Sequence, residues 1–230
     1  MDVPLRKKLF AEALGTFGLV FAGTAAIVAD GASGGAVSHV GVALTFGLAV
    51  FALIAALGDV SGAHLNPAVT VGFTIARRFP GRLVLPYVLS QCAGAVLASV
   101  TVSLLFPENS GLGGTRPAGP LYQSWVLELL LTAGLMFVIL SVSTGAKEKG
   151  VTAGLAIGGV VALEALFAGP VCGASMNPAR SLGPALVSGN LSVLWIYLSA
   201  PVAGAALATL ACRCVREEGC CCPVTVGECG

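Results

Sequence analysis

The chain has 230 residues, of which 56% are hydrophobic and 10% charged, and its mean hydropathy is +0.93. A soluble domain carries about 25% charged residues, and one core in a chain of this size cannot hide so much apolar surface. Disorder is excluded by the hydrophobicity. A nucleic-acid partner is excluded by a formal net charge of +1 without any basic run beyond Arg6-Lys7-Lys8. What remains is a polytopic membrane protein, with the lipid bilayer as its solvent.

In chain order, six stretches are long and apolar enough to cross a bilayer, which takes about 20 residues. They are 9–29, 40–57, 83–106, 125–142, 151–168 and 193–212. The first reads as a span, not a cleaved leader, because it is too long and lacks a small-residue cleavage site. Two shorter apolar stretches, 61–76 and 173–188, lie between the second and third spans and between the fifth and sixth. Each carries an Asn-Pro pair, Asn66-Pro67 and Asn177-Pro178. Proline suits the first turn of a helix, where its missing N–H has no partner to lose. Each short stretch therefore predicts a re-entrant half-helix starting at its Asn-Pro. The 31 glycines are dispersed, as expected where helices approach closely within a membrane.

Ten basic residues fall on one side if the spans alternate: Arg6, Lys7, Lys8, Arg77, Arg78, Arg82, Lys147, Lys149, Arg213 and Arg216. Only Arg116 and Arg180 fall on the other. The positive-inside rule then predicts that both termini are cytoplasmic.

The chain is also written twice. Glu12–Phe21 aligns with Glu128–Phe137, and Gly62–Gly72 aligns with Gly173–Gly183. Each half, about 5–106 and about 121–212, holds three spans and one half-helix. Three is odd, so the second half enters from the opposite face. Paired broken segments in inverted repeats point to a site at the repeat interface near the midplane. Two half-helices from opposite faces would meet at Asn66 and Asn177. Their N-termini carry unpaired N–H groups and partial positive charge, which repels cations, a migrating proton included. Each Asn offers a donor to a passing neutral solute. Extended backbone at 61–65 and 172–176 would line the bore with carbonyls, since irregular backbone at membrane depth is tolerated only around a cavity.

The doubled Asn-Pro-Ala motif (Asn66, Pro67, Ala68; Asn177, Pro178, Ala179), the Glu-led first span of each half and the inverted layout resemble the aquaporin, or major intrinsic protein, family over 5–212. The run Ala165–Ala185 together with Trp195-Ile196-Tyr197 is similar to the nodulin-like intrinsic proteins and their bacterial relatives. The resemblance implies an all-α membrane fold of six transmembrane helices plus two re-entrant half-helices. It also implies a homotetramer with one pore per subunit, a cell membrane location, and passage of water, glycerol or neutral metalloid acids such as arsenous or boric acid. It places Phe46, Ala165, Ala174 and Arg180 at an outer constriction. Water-selective members usually carry His where Ala165 stands, so this opening is expected to be wider. Plant nodulin-like members often carry Trp where Phe46 stands, which separates this chain from them.

The remaining polar residues have structural readings. Glu12 and Glu128, one per half, suit bracing a re-entrant loop each by accepting its backbone N–H groups, because a carboxylate at this depth must be partnered. His64 is expected to pack behind its loop. Glu164, where the family usually has a neutral residue, either faces a neighbouring subunit or braces loop 169–176. Neither cofactor nor metal is expected, and no nucleophile–base pair suggests an enzyme. Two further function classes compete with a channel: a proton-coupled transporter using Glu12, Glu128 and Glu164, and a structural junction protein with a closed pore. A water-selective channel is the alternative within the family. The tail, 213–230, completes a run of six cysteines, Cys212, Cys214, Cys220, Cys221, Cys222 and Cys229. It reads as an inert cytoplasmic end, as a site of palmitoylation or as a soft-metal or metalloid ligand set.

Overall fold

The computed structural model describes residues 3–143 and 151–215. Lys147 and Lys149, and from Arg216 onward Cys220, Cys221, Cys222 and Cys229, lie outside the described residues. The helices in chain order are α1 (Leu5–Ala32), α2 (Ser38–Ser61), α3 (Pro67–Ile75), α4 (Val84–Leu105), α5 (Leu121–Val142), α6 (Val151–Cys172), α7 (Pro178–Ser188) and α8 (Leu194–Val215). Six of them, all but α3 and α7, are long and apolar enough to span a membrane.

Several helices outrun the apolar stretches that announce them. α1 starts at Leu5, before Lys7 and Lys8, and α8 runs on to Val215. Intrahelical hydrogen bonds continue past the hydrocarbon edge, where charged side chains reach water. Cys212, the last residue of the sixth apolar stretch, is fully buried in the core, while Cys214 in the extension is exposed.

The packing is two-fold. α1 lies on α4 and α2, as α5 lies on α8 and α6, while α3 packs on α8 and α7 on α4, so each half-helix docks into the other half. α2 and α6 pack directly on one another, and there Gly47 and Gly158 each sit against the other's carbonyl oxygen. A methyl on either would collide with backbone, so the contact requires glycine. The same device recurs where Gly94 of α4 meets the Ala13 carbonyl of α1 and Gly204 of α8 meets the Leu129 carbonyl of α5. Ala13 and Leu129 each follow the Glu that leads their half.

Candidate functional site

The two half-helices meet end to end at their N-termini. Asn66 Oδ1 accepts from the Ala68 N–H at 2.8 Å, and Asn177 Oδ1 accepts from the Ala179 and Arg180 N–H groups at 3.0 and 3.4 Å. Both are N-cap bonds, followed by Pro67 and Pro178 in the first helical turn. With each oxygen turned to its own helix, each Nδ2 faces the other: Asn66 donates to the Met176 carbonyl at 2.7 Å, and Asn177 donates to the Leu65 carbonyl at 2.9 Å. An amide nitrogen carries two hydrogens. One of each pair is thus committed to the tie.

The segments before the two caps are not uniformly extended. Gly62, Ala63 and Leu65 have φ of 89°, 45° and 52°, and Gly173, Ala174 and Met176 have φ of 88°, 40° and 53°. A left-handed conformation costs a residue with a Cβ roughly 1–2 kcal/mol. Glu12 and Glu128 supply the compensating bonds. Glu12 Oε1 accepts from Ser61 Oγ at 2.7 Å and the His64 N–H at 3.0 Å, and Oε2 accepts from the Leu65 N–H and Gln91 Nε2, both at 2.8 Å. These fill the roughly four acceptor positions of a carboxylate. Glu128 accepts from the Ser175 and Met176 N–H groups, both at 2.8 Å. Each carboxyl is fully buried behind its segment, turning the N–H groups to itself.

Two braces escaped the sequence. The Tyr87 hydroxyl donates to the Ser61 carbonyl at 3.0 Å, and the Tyr197 hydroxyl donates to the Cys172 carbonyl at 2.7 Å. They occupy matching places in α4 and α8, and both are buried. Extending the internal alignment through α4 and α8 would have paired them. The halves differ four residues on: Gln91 reaches Glu12, whereas the matching position in α8 is Pro201. His64 packs against Phe73, Phe79 and Tyr87, with ring centroids 4.7, 4.8 and 5.3 Å away, and its Nδ1 lies 3.1 Å from Thr70 Oγ1. It also borders the cavity.

A cavity of about 740 Å³ runs past this junction, from Phe46 and Arg180 to Asp59, Arg78 and Ser143 at the ends of α2, α3 and α5. Asn66, Asn177 and the two capping segments border it, as do aliphatic side chains such as Val50, Leu135 and Val161. Phe46, Ala165, Ala174 and Arg180 all border this one space. The Phe46 ring lies against Gly23 of α1, where a methyl would overlap it. The guanidinium carbon of Arg180 lies 5.1 Å from the Phe46 ring centroid, within cation–π range. Arg180 Nη1 donates to the Gly113 carbonyl at 3.0 Å, Nε has no hydrogen-bond partner among the described residues, and the residue is only 3% exposed. This is a positive group held at membrane depth by one carbonyl and one aromatic face.

Glu164 lies on α6 and is buried within the chain. Its carboxyl is turned to α5, where Oε1 would stand 2.7 Å from a Cβ on Gly134, and Oε2 is buried without a partner among the described residues. Gly134 leaves the recess that the side chain fills. Glu12, Glu128 and Glu164 all lie off the cavity wall.

The major intrinsic protein family model matches residues 1–212. The chain is similar to Aquaporin NIP1-1 of Zea mays, 46% identical over 217 residues that cover 94% of this chain and 77% of that protein. It is also similar to Nodulin-26 of Glycine max, 47% identical over 206 residues covering 89% and 76%. Among solved structures it is similar to the aquaglyceroporin from Plasmodium falciparum, with a TM-score of 0.83, 26% identity and coverage of 90% and 95%. With the model match spanning both Asn-Pro-Ala motifs, the chain belongs to the major intrinsic protein family.

Proposed function

We propose that the chain is a passive channel for small uncharged polar solutes and water. The observation that carries this reading is the reciprocal tie of Asn66 and Asn177 beside a continuous cavity. Two helix N-termini facing one another create positive potential at mid-membrane, which disfavours cations while leaving neutral solutes unaffected. A neutral polyol exchanges water for the Asn donors and loop carbonyls on one wall and slides along aliphatic groups on the other.

Phe46, Ala165, Ala174 and Arg180 serve as the outer constriction in this reading. Two of the four are alanines, so the opening admits glycerol and trihydroxy acids such as arsenous or boric acid as well as water. The names of the plant relatives and of the aquaglyceroporin are in keeping with this class of solute. The channel works as a homotetramer with a pore in each subunit, in a cell membrane, with both termini cytoplasmic. Proton coupling is disfavoured because the Glu12 oxygens are already occupied by four donors and none of the three acids faces the cavity.

The test is stopped-flow flux into proteoliposomes for water, glycerol, urea, boric acid and arsenous acid, with and without a pH gradient. Downhill flux of water and glycerol indifferent to the gradient is expected. Uphill accumulation driven by the gradient would replace the channel with a transporter.

A further inference from the structure

α6 contains Pro170, which has no N–H. The carbonyl four residues before it, Leu166, therefore lacks its intrahelical donor. A carbonyl in that position needs a partner from elsewhere or costs about as much as a lost hydrogen bond. The partner comes from another helix: His39 Nε2 lies 2.7 Å from the Leu166 oxygen. Because that oxygen only accepts, His39 Nε2 is the donor, in the neutral Nε2–H tautomer or as imidazolium. Gly169 supplies the seat, since a Cβ there would stand 3.0 Å from His39 Cε1.

The two ends of this bond belong to the two helices that carry Phe46 and Ala165 to the wall of the cavity. His39 and Phe46 are seven residues apart on α2, which places them on one face and about 10 Å apart along the axis. Leu166 follows Ala165 directly on α6. Nearer the midplane, Gly47 and Gly158 lock the same pair of helices together. The segments bearing Phe46 and Ala165 thus lie between a glycine contact on one side and the His39 bond on the other.

We propose that His39 is a positioning residue for solute selection, whose bond to Leu166 holds the outer part of α6 against α2 and so sets the width available between Phe46 and Ala165. The inference rests on the channel reading above and deepens it. His39 does not itself border the cavity, so it acts on solutes only through the helix it holds.

The test uses the full chain in proteoliposomes at matched protein density, and reads the permeability ratio of erythritol to glycerol. His39→Leu keeps a similar bulk and removes the donor. His39→Gln restores an N–H donor where Nε2 stood. The ratio is expected to rise at least about threefold in His39→Leu, the scale on which one net hydrogen bond acts, and to return close to the parent's in His39→Gln. A His39→Leu channel with the parent's ratio overturns the proposal, as does a His39→Gln channel as permissive as His39→Leu. If His39→Leu does not reconstitute, Gly169→Ala takes its place by crowding the ring, with the same rise expected and an unchanged ratio overturning the proposal. A parent that passes water but no glycerol removes the wide-channel reading itself, an outcome distinct from a glycerol-permeable parent whose selectivity ignores His39.

Discussion

Asn66 and Asn177 each donate a side-chain N–H to the carbonyl of the residue that precedes the other. The amide that caps one half-helix therefore also anchors the segment leading into its counterpart. An N-cap replaced by alanine costs about 0.5–2 kcal/mol, and a buried carbonyl left without a donor costs about 1–3 kcal/mol. Asn66→Ala and Asn177→Ala should each lower the unfolding midpoint in detergent. The pair should be non-additive, with a coupling of at least about 0.5 kcal/mol, because both mutations act on the same junction. Strict additivity in a double-mutant cycle would show that the halves are held independently.

Arg180 has one hydrogen-bonded nitrogen, to Gly113, and one aromatic contact, to Phe46. Arg180→Val removes the positive group from the cavity wall and leaves the rest of the lining in place. Water flux should persist while exclusion of cations and protons weakens. Paired electrophysiology and stopped-flow measurements decide this, and the same absence of current in parent and variant would assign exclusion to the helix ends alone.

Ala165 contributes a methyl group to the wall shared with Phe46 and Arg180. Ala165→His adds a ring there. Glycerol and arsenous acid flux should fall at least about tenfold while water continues to pass, since a solute that cannot reach its partners leaves buried hydrogen bonds unmade at about 1–3 kcal/mol each. Comparison at matched protein density checks this. A parent already closed to both larger solutes would make the channel water-selective.

Glu12 receives two hydrogen bonds on each oxygen. Glu12→Gln puts an NH2 where donors already converge, and the donors it faces lose their acceptor. A loss of about 1–3 kcal/mol is expected, read as a lower thermal midpoint and reduced yield of assembled protein. Tyr87→Phe, which deletes one hydroxyl bond to Ser61, should cost about 1 kcal/mol. A Glu12→Gln protein as stable as the parent would mean that the segment holds its left-handed residues without the brace.

Gly23 lies beneath the Phe46 ring. Gly23→Leu must push that ring toward the cavity or out of its rotamer, so glycerol flux should drop with helix content unchanged. Circular dichroism alongside flux tests this, and parent-like glycerol flux would mean that Phe46 does not define the narrow wall.

The six spans, the two half-helices and the doubled Asn-Pro-Ala motif were legible because each depends on local physics. A run of apolar residues has a length, a Pro after Asn starts a helix, and two matching halves with three spans each must be inverted. The braces Glu12 and Glu128 were legible for a related reason: a carboxyl at membrane depth must have partners. The tertiary structure alone decided what those local rules leave open. It pairs Tyr87 with Ser61 and Tyr197 with Cys172, sets Gly47 on Gly158, bends the capping segments through left-handed residues where extended chain was expected, and turns Glu164 to Gly134. It also joins His39 to Leu166, across 127 positions of sequence. These contacts have no period and no fixed spacing. A hydrogen bond or a close backbone approach depends on where two distant segments come to rest, and that is set by the packing of whole helices, not by the residues on either side of the contact.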